Sequence, residues 1–120
     1  MKANKTMFVA SLLAILLGTT APKEGHASGT CSATQCTARI VELTLISGRV
    51  WIALDVSSEE LTKLTDCTVA SGQYFTLWPN HMFFKEIFAS LRSAQLADRD
   101  VRLRPSVGSA DCTIDYIRAY

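Results

Sequence analysis

Residues 81–97, HMFFKEIFASLRSAQLA, form the stretch of sequence that decides the fold. Apolar side chains recur there at steps of three and four, which is the spacing of an amphipathic helix. The stripe comprises Phe84, Ile87, Phe88, Leu91, Ala94 and Gln95. Because an aromatic stripe at helical spacing usually packs in a core, we predict that this face of the helix is buried.

A β-hairpin is predicted on the N-terminal side of the helix. From Arg39 onward, apolar and polar residues alternate, as in a half-buried strand. One face carries Val41, Leu43 and Leu45, and the other carries Glu42 and Thr44. The pair Ser47 and Gly48 predicts a tight turn, because glycine tolerates the positive φ of short hairpins. The returning strand, residues 49–56, places Val50, Ile52 and Leu54 inward and Trp51, Ala53 and Asp55 on the opposite face.

A third strand is predicted just before the helix. Residues 57–72 form a polar connection with at most one short helical turn. Residues 73–77 are rich in the aromatic and β-branched residues typical of strands. Pro79 ends this strand, since proline cannot donate to the ladder, and Asn80 is predicted to cap the helix.

Two strands are predicted after the helix. Residues 101–104 form the first, with Arg102 and Arg104 on the same side, and Pro105 ends its regular pairing. Residues 112–120 form the second. The order of three strands, one helix and two strands is that of an OB-fold, so we predict a mainly β domain with one α-helix and a five-stranded OB-fold-like barrel.

The chain is predicted to divide into three parts. Residues 1–27 have a charged start, an apolar run from Met7 to Leu17 and a small-residue end at Ala27, which together indicate a secretory signal peptide. The alternative, a membrane anchor, is disfavoured because a span needs about 20 apolar residues. Residues 28–37 read as a polar N-terminal arm, and residues 38–120 as the domain. We therefore expect an exported protein, periplasmic or secreted.

Four cysteines lie in the predicted exported part. An even count in a small secreted chain indicates two disulfides, for which three pairings are possible. We favour Cys31 with Cys36, which closes a short loop, and Cys67 with Cys112, which ties the approach to the third strand to the start of the last. A four-cysteine zinc site is the less favoured alternative, because the spacing is loose and an oxidising compartment favours disulfides.

Charge and motifs disfavour several classes of function. Removing residues 1–27 takes three lysines and one glutamate from 12 basic and 11 acidic residues, which leaves 9 and 10 and a net charge of −1. Because proteins that neutralise phosphates usually carry a basic excess, nucleic acid is not an expected partner. His81 lacks an accompanying nucleophile motif, and the paired carboxylates lie in turns. We predict no catalytic residue, no metal site and no cofactor, and hence a protein that is not an enzyme.

Two tryptophans lie off the predicted core. Trp51 is on the outer strand face, and Trp78 is at the junction between strand and helix. They are candidate ligand residues, with hydrogen bonds to a sugar from Asp55 or Asn80. The alternative is that both tryptophans pack in a small cluster or in a subunit interface. Either way, an exposed tryptophan marks a surface that suits a partner.

The C-terminal half also carries a resemblance to a known family. The spacing of Phe84, Ile87, Leu91 and Ala94, followed by DRDVRLR at residues 98–104, a Gly/Ser loop and Cys112, resembles the receptor-binding B subunits of AB5 toxins of the subtilase-cytotoxin and typhoid-toxin type. Related small secreted bacterial proteins are similar too. The resemblance covers roughly residues 38–120 in organisation. It implies an OB-fold subunit that forms a homopentameric ring, binds cell-surface glycans and serves an enzymatic A subunit. A non-enzymatic periplasmic structural or inhibitor protein without a sugar site is the alternative function.

Overall fold

A computed structural model describes residues 29–120, and the predicted signal peptide lies outside them. Six strands form one antiparallel sheet in the order β4-β3-β2-β5-β6, with β1 beside β2. The strands are β1 (Thr30–Cys31), β2 (Cys36–Ile46), β3 (Arg49–Leu54), β4 (Tyr74–Leu77), β5 (Asp100–Pro105) and β6 (Ile114–Ala119). The helices are α1 (Ser58–Leu61) and α2 (Phe84–Leu96). The prediction of a mainly β domain is therefore confirmed.

The predicted hairpin is present as β2 and β3. Ile46 pairs with Arg49 across a two-residue connection, and Gly48 has a φ of 71°. This is backbone that glycine adopts without steric cost. On the inner face of β3, Val50, Ile52 and Leu54 are all buried, as the alternation predicts.

The alternation of β2 fails at Val41 and Leu45, which were predicted to share a buried face with Leu43. Val41 is 59% and Leu45 71% exposed, whereas Ala38 and Ile40 are buried. The register shifts between Ile40 and Glu42, which is a β-bulge. The strand pairs with β5 up to Arg39 and with β3 from Ile40 onward, so its partner changes next to the bulge. A bulge bends a strand and re-aims its side chains, so the long strand β2 can serve both halves of the sheet at the cost of its regular alternation.

Helix α2 covers one end of the core, as its stripe predicts. Ile87, Leu91 and Ala94 are buried, while Phe84 and Phe88 are half-buried, with ring centroids 6.2 Å apart. The predicted cap is wrong. The N-cap position is Phe83, without a side-chain cap, and Asn80 lies outside the helix. The chain passes through a turn first, in which the His81 amide donates to the Trp78 carbonyl at 3.1 Å.

The two disulfides join Cys31 to Cys36 and Cys67 to Cys112, which is the pairing favoured from the sequence. Cys36 and Cys112 are both fully buried. Near the second disulfide, the Thr76 amide donates to the Cys112 carbonyl at 3.1 Å. This contact brings the far edge of the sheet, at β4, to the segment that leads into β6, an arrangement consistent with a small barrel-like fold.

The element count differs from the predicted five strands and one helix. The polar arm of residues 28–37 is not simply a loop, because Thr30 and Cys31 pair with Thr37 and Cys36 as the additional strand β1. The second helix, α1, is a single turn in the polar connection, where the Ser57 side chain accepts from the Glu60 amide. A loop rich in Ser, Thr and Cys lacks the apolar period by which strands are recognised in a sequence.

Candidate functional site

The outer side of β2, β3 and β4 carries a cluster of aromatic side chains, which we call the aromatic face. It comprises Glu42, Arg49, Trp51, Tyr74 and Trp78. The register places Trp51 opposite both Thr44 and Thr76, while the neighbouring pairs Leu43 with Ile52 and Ile52 with Phe75 point into the core. Period-two alternation on two adjacent strands therefore gathers these side chains on one surface.

Arg49 links the two tryptophans of the aromatic face. Its guanidinium carbon lies 5.5 Å from the centroid of the Trp51 ring and 5.3 Å from that of the Trp78 ring. Both distances are within the range of a cation–π interaction. On its other side, Trp51 stacks on Tyr74 with centroids 4.6 Å apart and planes at 14°. The four side chains form a continuous row.

Acidic side chains hold both ends of this row. The Tyr74 hydroxyl lies 3.2 Å from each oxygen of the Glu42 carboxylate and donates to it. Burial of the phenol, reinforced by the hydrogen bond and the charge of Glu42, raises the pKa of Tyr74. At the other end, Trp78 Nε1 donates to Asp111 Oδ2 at 3.0 Å. Asp111 also accepts from the Thr113 hydroxyl, and its bond to Trp78 ties the loop before β6 to the aromatic face.

Two polar atoms beneath the row have no hydrogen-bond partner within residues 29–120. They are Trp51 Nε1 and Thr76 Oγ1, and both are buried. Because Trp51 and Thr76 are cross-strand partners, the two atoms belong to the same side of the sheet. An unsatisfied buried donor has a free-energy cost of about 1–3 kcal/mol, so the two atoms lower the stability of this part of the sheet.

The four predicted ligand residues do not all meet. Trp51 and Trp78 are brought together through Arg49, but the side chains of Asp55 and Asn80 make no hydrogen bond to the aromatic face within the described part of the chain. Asp55 lies beyond the end of β3, where its amide donates to the Arg39 carbonyl at 2.9 Å. Asn80 lies exposed in the turn before α2. Both remain predictions as ligand residues.

Sequence reasoning missed the other members of the aromatic face. Arg49 lies two residues before Trp51, so the alternation of β3 could have placed both on one surface. In the same way, the alternation of β4 could have placed Tyr74 on the surface that Trp78 shares. Glu42 lay beside the bulge that alternation cannot anticipate, and Asp111 reaches the face from a loop distant in sequence.

His81, the only histidine after residue 27, is engaged in local structure. Its Nδ1 accepts from the Phe83 amide at 3.0 Å, which places the ring proton on Nε2. That nitrogen lies 2.8 Å from the carbonyl oxygen of Asp115 and donates to it. Both ring nitrogens are thus used to fix the turn before α2 against β6.

Two further features bear on function. Among residues 29–120, no group of three or more His, Cys, Asp or Glu side chains is arranged to hold a metal ion. In the same part of the chain, neither helix has the length and apolar character needed to cross a bilayer.

Comparison of the chain with protein-family models, with curated proteins and with solved structures finds no match.

Proposed function

We propose that this chain is an exported binding protein whose aromatic face recognises cell-surface glycans. The observation that carries the proposal is the placement of Trp51 and Trp78 on one outer sheet surface with Arg49 between them. Ligand sites in proteins combine aromatic surface with a few placed polar groups. A sugar offers both counterparts, because its C–H faces pack on aromatic rings and its hydroxyls take part in hydrogen bonds.

The polar groups of the aromatic face suit a hydroxyl-rich ligand. A guanidinium has five N–H donors, and Arg49 uses Nη1 for the Ser47 carbonyl at 2.8 Å. The Glu42 carboxylate has acceptor capacity beyond its bonds to Tyr74 and Thr44. The aromatic face thus offers free donors of Arg49 and free acceptor capacity of Glu42 beside its aromatic rings.

The finer form of the proposal is an OB-fold subunit of a homopentameric ring, like the B subunits that the C-terminal half resembles, which could serve an enzymatic A subunit. Its support is the succession of hairpin, third strand, helix and two final strands, together with two disulfides, which are typical of exported proteins. A ring would also compensate for a shallow site. Several weak sites engaged at once raise avidity by about 10²–10⁴ without any new contact.

A second candidate function rests on the same contacts. The Trp51 ring is stacked on Tyr74, and the Trp78 indole is bonded to Asp111, so both tryptophans already have partners within the fold. A periplasmic structural or inhibitor protein would use these contacts for packing alone. The two functions differ in whether the aromatic face binds sugar, and this difference can be measured.

A glycan array tests the proposal. The exported chain should bind a subset of neutral or sialylated glycans, and Trp78→Ala and Arg49→Ala should each reduce that binding at least tenfold. Phe83→Ala is a matched control, because this aromatic residue is 54% exposed and lies outside the aromatic face. Thermal unfolding of each variant verifies that it is folded. Absence of binding across neutral and sialylated glycans contradicts the proposal and favours the second candidate.

The oligomeric state is tested separately. We expect light scattering on the exported chain to give a mass near five times that of one chain. A monomer at high protein concentration contradicts the ring but leaves the sugar site open to the array.

A further inference from the structure

The other half of the sheet has a different outer surface, which we call the arginine face. It comprises Arg102 and Arg104 of β5 and Tyr116 and Arg118 of β6, with Tyr120 after the strand. Val101 and Leu103 alternate with the arginines and are fully buried, so the arginines are on the outside. In the register, Arg102 lies directly opposite Arg118, and Arg104 lies directly opposite Tyr116.

This arrangement is unfavourable for the free protein. Like charges directly opposite each other in an antiparallel pair are destabilising. Within residues 29–120, the salt bridges are Arg39 with Asp98 and Lys63 with Glu60, so the three arginines of this face have no acidic partner. Asp100 shares the outer side of β5, but its cross-strand partner is Arg39.

Arg102 is nevertheless held in place. Its Nε donates to the Thr37 hydroxyl at 3.3 Å, and its guanidinium carbon lies 5.7 Å from the centroid of the Tyr120 ring. Neutral partners thus fix the position of the guanidinium without cancelling its charge. The fold therefore keeps two like charges opposite each other and holds one of them in place. Such an unfavourable local arrangement is typical of functional sites.

We propose that the arginine face binds a sulfated polysaccharide. Alternate residues of a strand are about 7 Å apart, and neighbouring strands are separated by about 5 Å. Arg102, Arg104 and Arg118 therefore form a compact array of three cations. The planar guanidinium fork matches the oxygens of a sulfate group, and a chain of repeated sulfates presents anions at such short intervals.

Two observations favour a polysaccharide over a nucleic acid. The described residues after the predicted cleavage site carry a slight acidic excess, so the positive charge is local and not spread over a long groove. The ring of Tyr120 has Arg102 over one side, which leaves fewer open aromatic platforms for the stacking of successive bases.

The arginine face lies on different strands from the aromatic face, so this inference goes beyond the proposed function. A size-defined heparin oligosaccharide is the probe, with binding to the full exported chain measured by calorimetry at two salt concentrations. We expect affinity to fall as salt rises, and Arg118→Gln to weaken binding at least tenfold. Arg92→Gln makes the same charge change on α2 and should alter affinity less than twofold.

Stability measured on the same variants separates binding from a structural role. Because Arg118 opposes Arg102, Arg118→Gln should leave the melting temperature unchanged or raise it. A lower melting temperature together with lost binding would assign Arg118 a structural role and overturn the inference. Two other results would also overturn it: equal affinity for a desulfated heparin oligosaccharide, or a single-stranded oligonucleotide that binds as tightly as heparin.

Discussion

The aromatic face and the arginine face are two outer surfaces of one sheet. They differ in whether their polar and charged side chains have complementary partners. On the aromatic face, Tyr74 and Trp78 each donate to a carboxylate, and Arg49 lies between two indole rings. On the arginine face, Arg102 and Arg118 face each other without an acidic partner among residues 29–120. The first surface contributes to stability and carries the proposed glycan site. The second places like charges opposite each other, a small cost in stability that a bound anion would offset.

The largest expected effect comes from the disulfide that joins the two halves of the sheet. Replacing Cys67 and Cys112 together by serine should reduce the free energy of unfolding by about 4 kcal/mol, the chain-entropy value for a loop of this length. The sequence separation is 45 residues. Denaturant unfolding measures the loss. Since Asp111 adjoins Cys112, binding at the proposed glycan site should weaken as well.

A loss below about 1 kcal/mol in that double variant would show that the edges of the sheet are held by other contacts. The matched control is the pair Cys31 and Cys36, which closes a separation of only 5 residues. Its replacement by serine should cost less, because a shorter loop restricts the unfolded chain less.

The next effect sharpens the contrast between the faces directly. Trp51→Ala should reduce the free energy of unfolding by about 2 kcal/mol. The same change at a fully buried aromatic residue typically costs about 3–5 kcal/mol. Trp51 is half-buried and stacked on Tyr74. Denaturant unfolding of Trp51→Ala beside Arg118→Gln tests the comparison. If the arginine variant lost as much stability as the tryptophan variant, both faces would contribute equally to stability and the contrast between them would be wrong.

Much of the scaffold was predictable because its signals are local. The hairpin follows from alternation and Gly48, and the buried stripe of α2 follows from spacing alone. Val41 was misplaced, because the bulge arises from a strand that must serve two partners, which no local pattern encodes. Asn80 was misassigned as a cap, because cap residues also favour turns and the chain uses one before the helix.

A smaller effect is expected at the outer end of the aromatic row. Asp111→Asn removes the charge that accepts from Trp78 Nε1 but keeps an oxygen acceptor, so the loss should be about 1 kcal/mol. Thermal unfolding measures it, with Asp115→Asn as the control for an exposed aspartate. An unchanged melting temperature would show that this hydrogen bond does not position Trp78.

The smallest effect is a pH dependence. Because the pKa of Tyr74 is raised in the folded protein, the fold holds this proton more tightly than the unfolded chain does. The corresponding stability is fully present below the ordinary tyrosine pKa and is lost as pH rises through the raised value. Comparing the alkaline stability of the wild type with that of Tyr74→Phe isolates it. Identical decreases in both proteins would contradict the assignment.

The candidate sites were harder to predict than the scaffold. The placement of Arg102 and Arg104 on one side of a strand was visible, but their pairing with Arg118 depends on the register between β5 and β6. The net charge gave no sign of the arginine face, because a near-neutral total charge is compatible with a local cluster of arginines. Tyr74 and Asp111 joined the aromatic face through contacts across 32 and 33 residues of sequence.

One binding profile tests most directly whether the two faces have separate ligands. Wild type, Trp78→Ala and Arg118→Gln would be compared on a single array that carries neutral, sialylated and heparin-type sulfated glycans. We expect Trp78→Ala to lose the unsulfated ligands and retain heparin, and Arg118→Gln to show the reverse. Joint loss of both ligand classes in either folded variant, or no binding of either class by the wild type, would contradict the account.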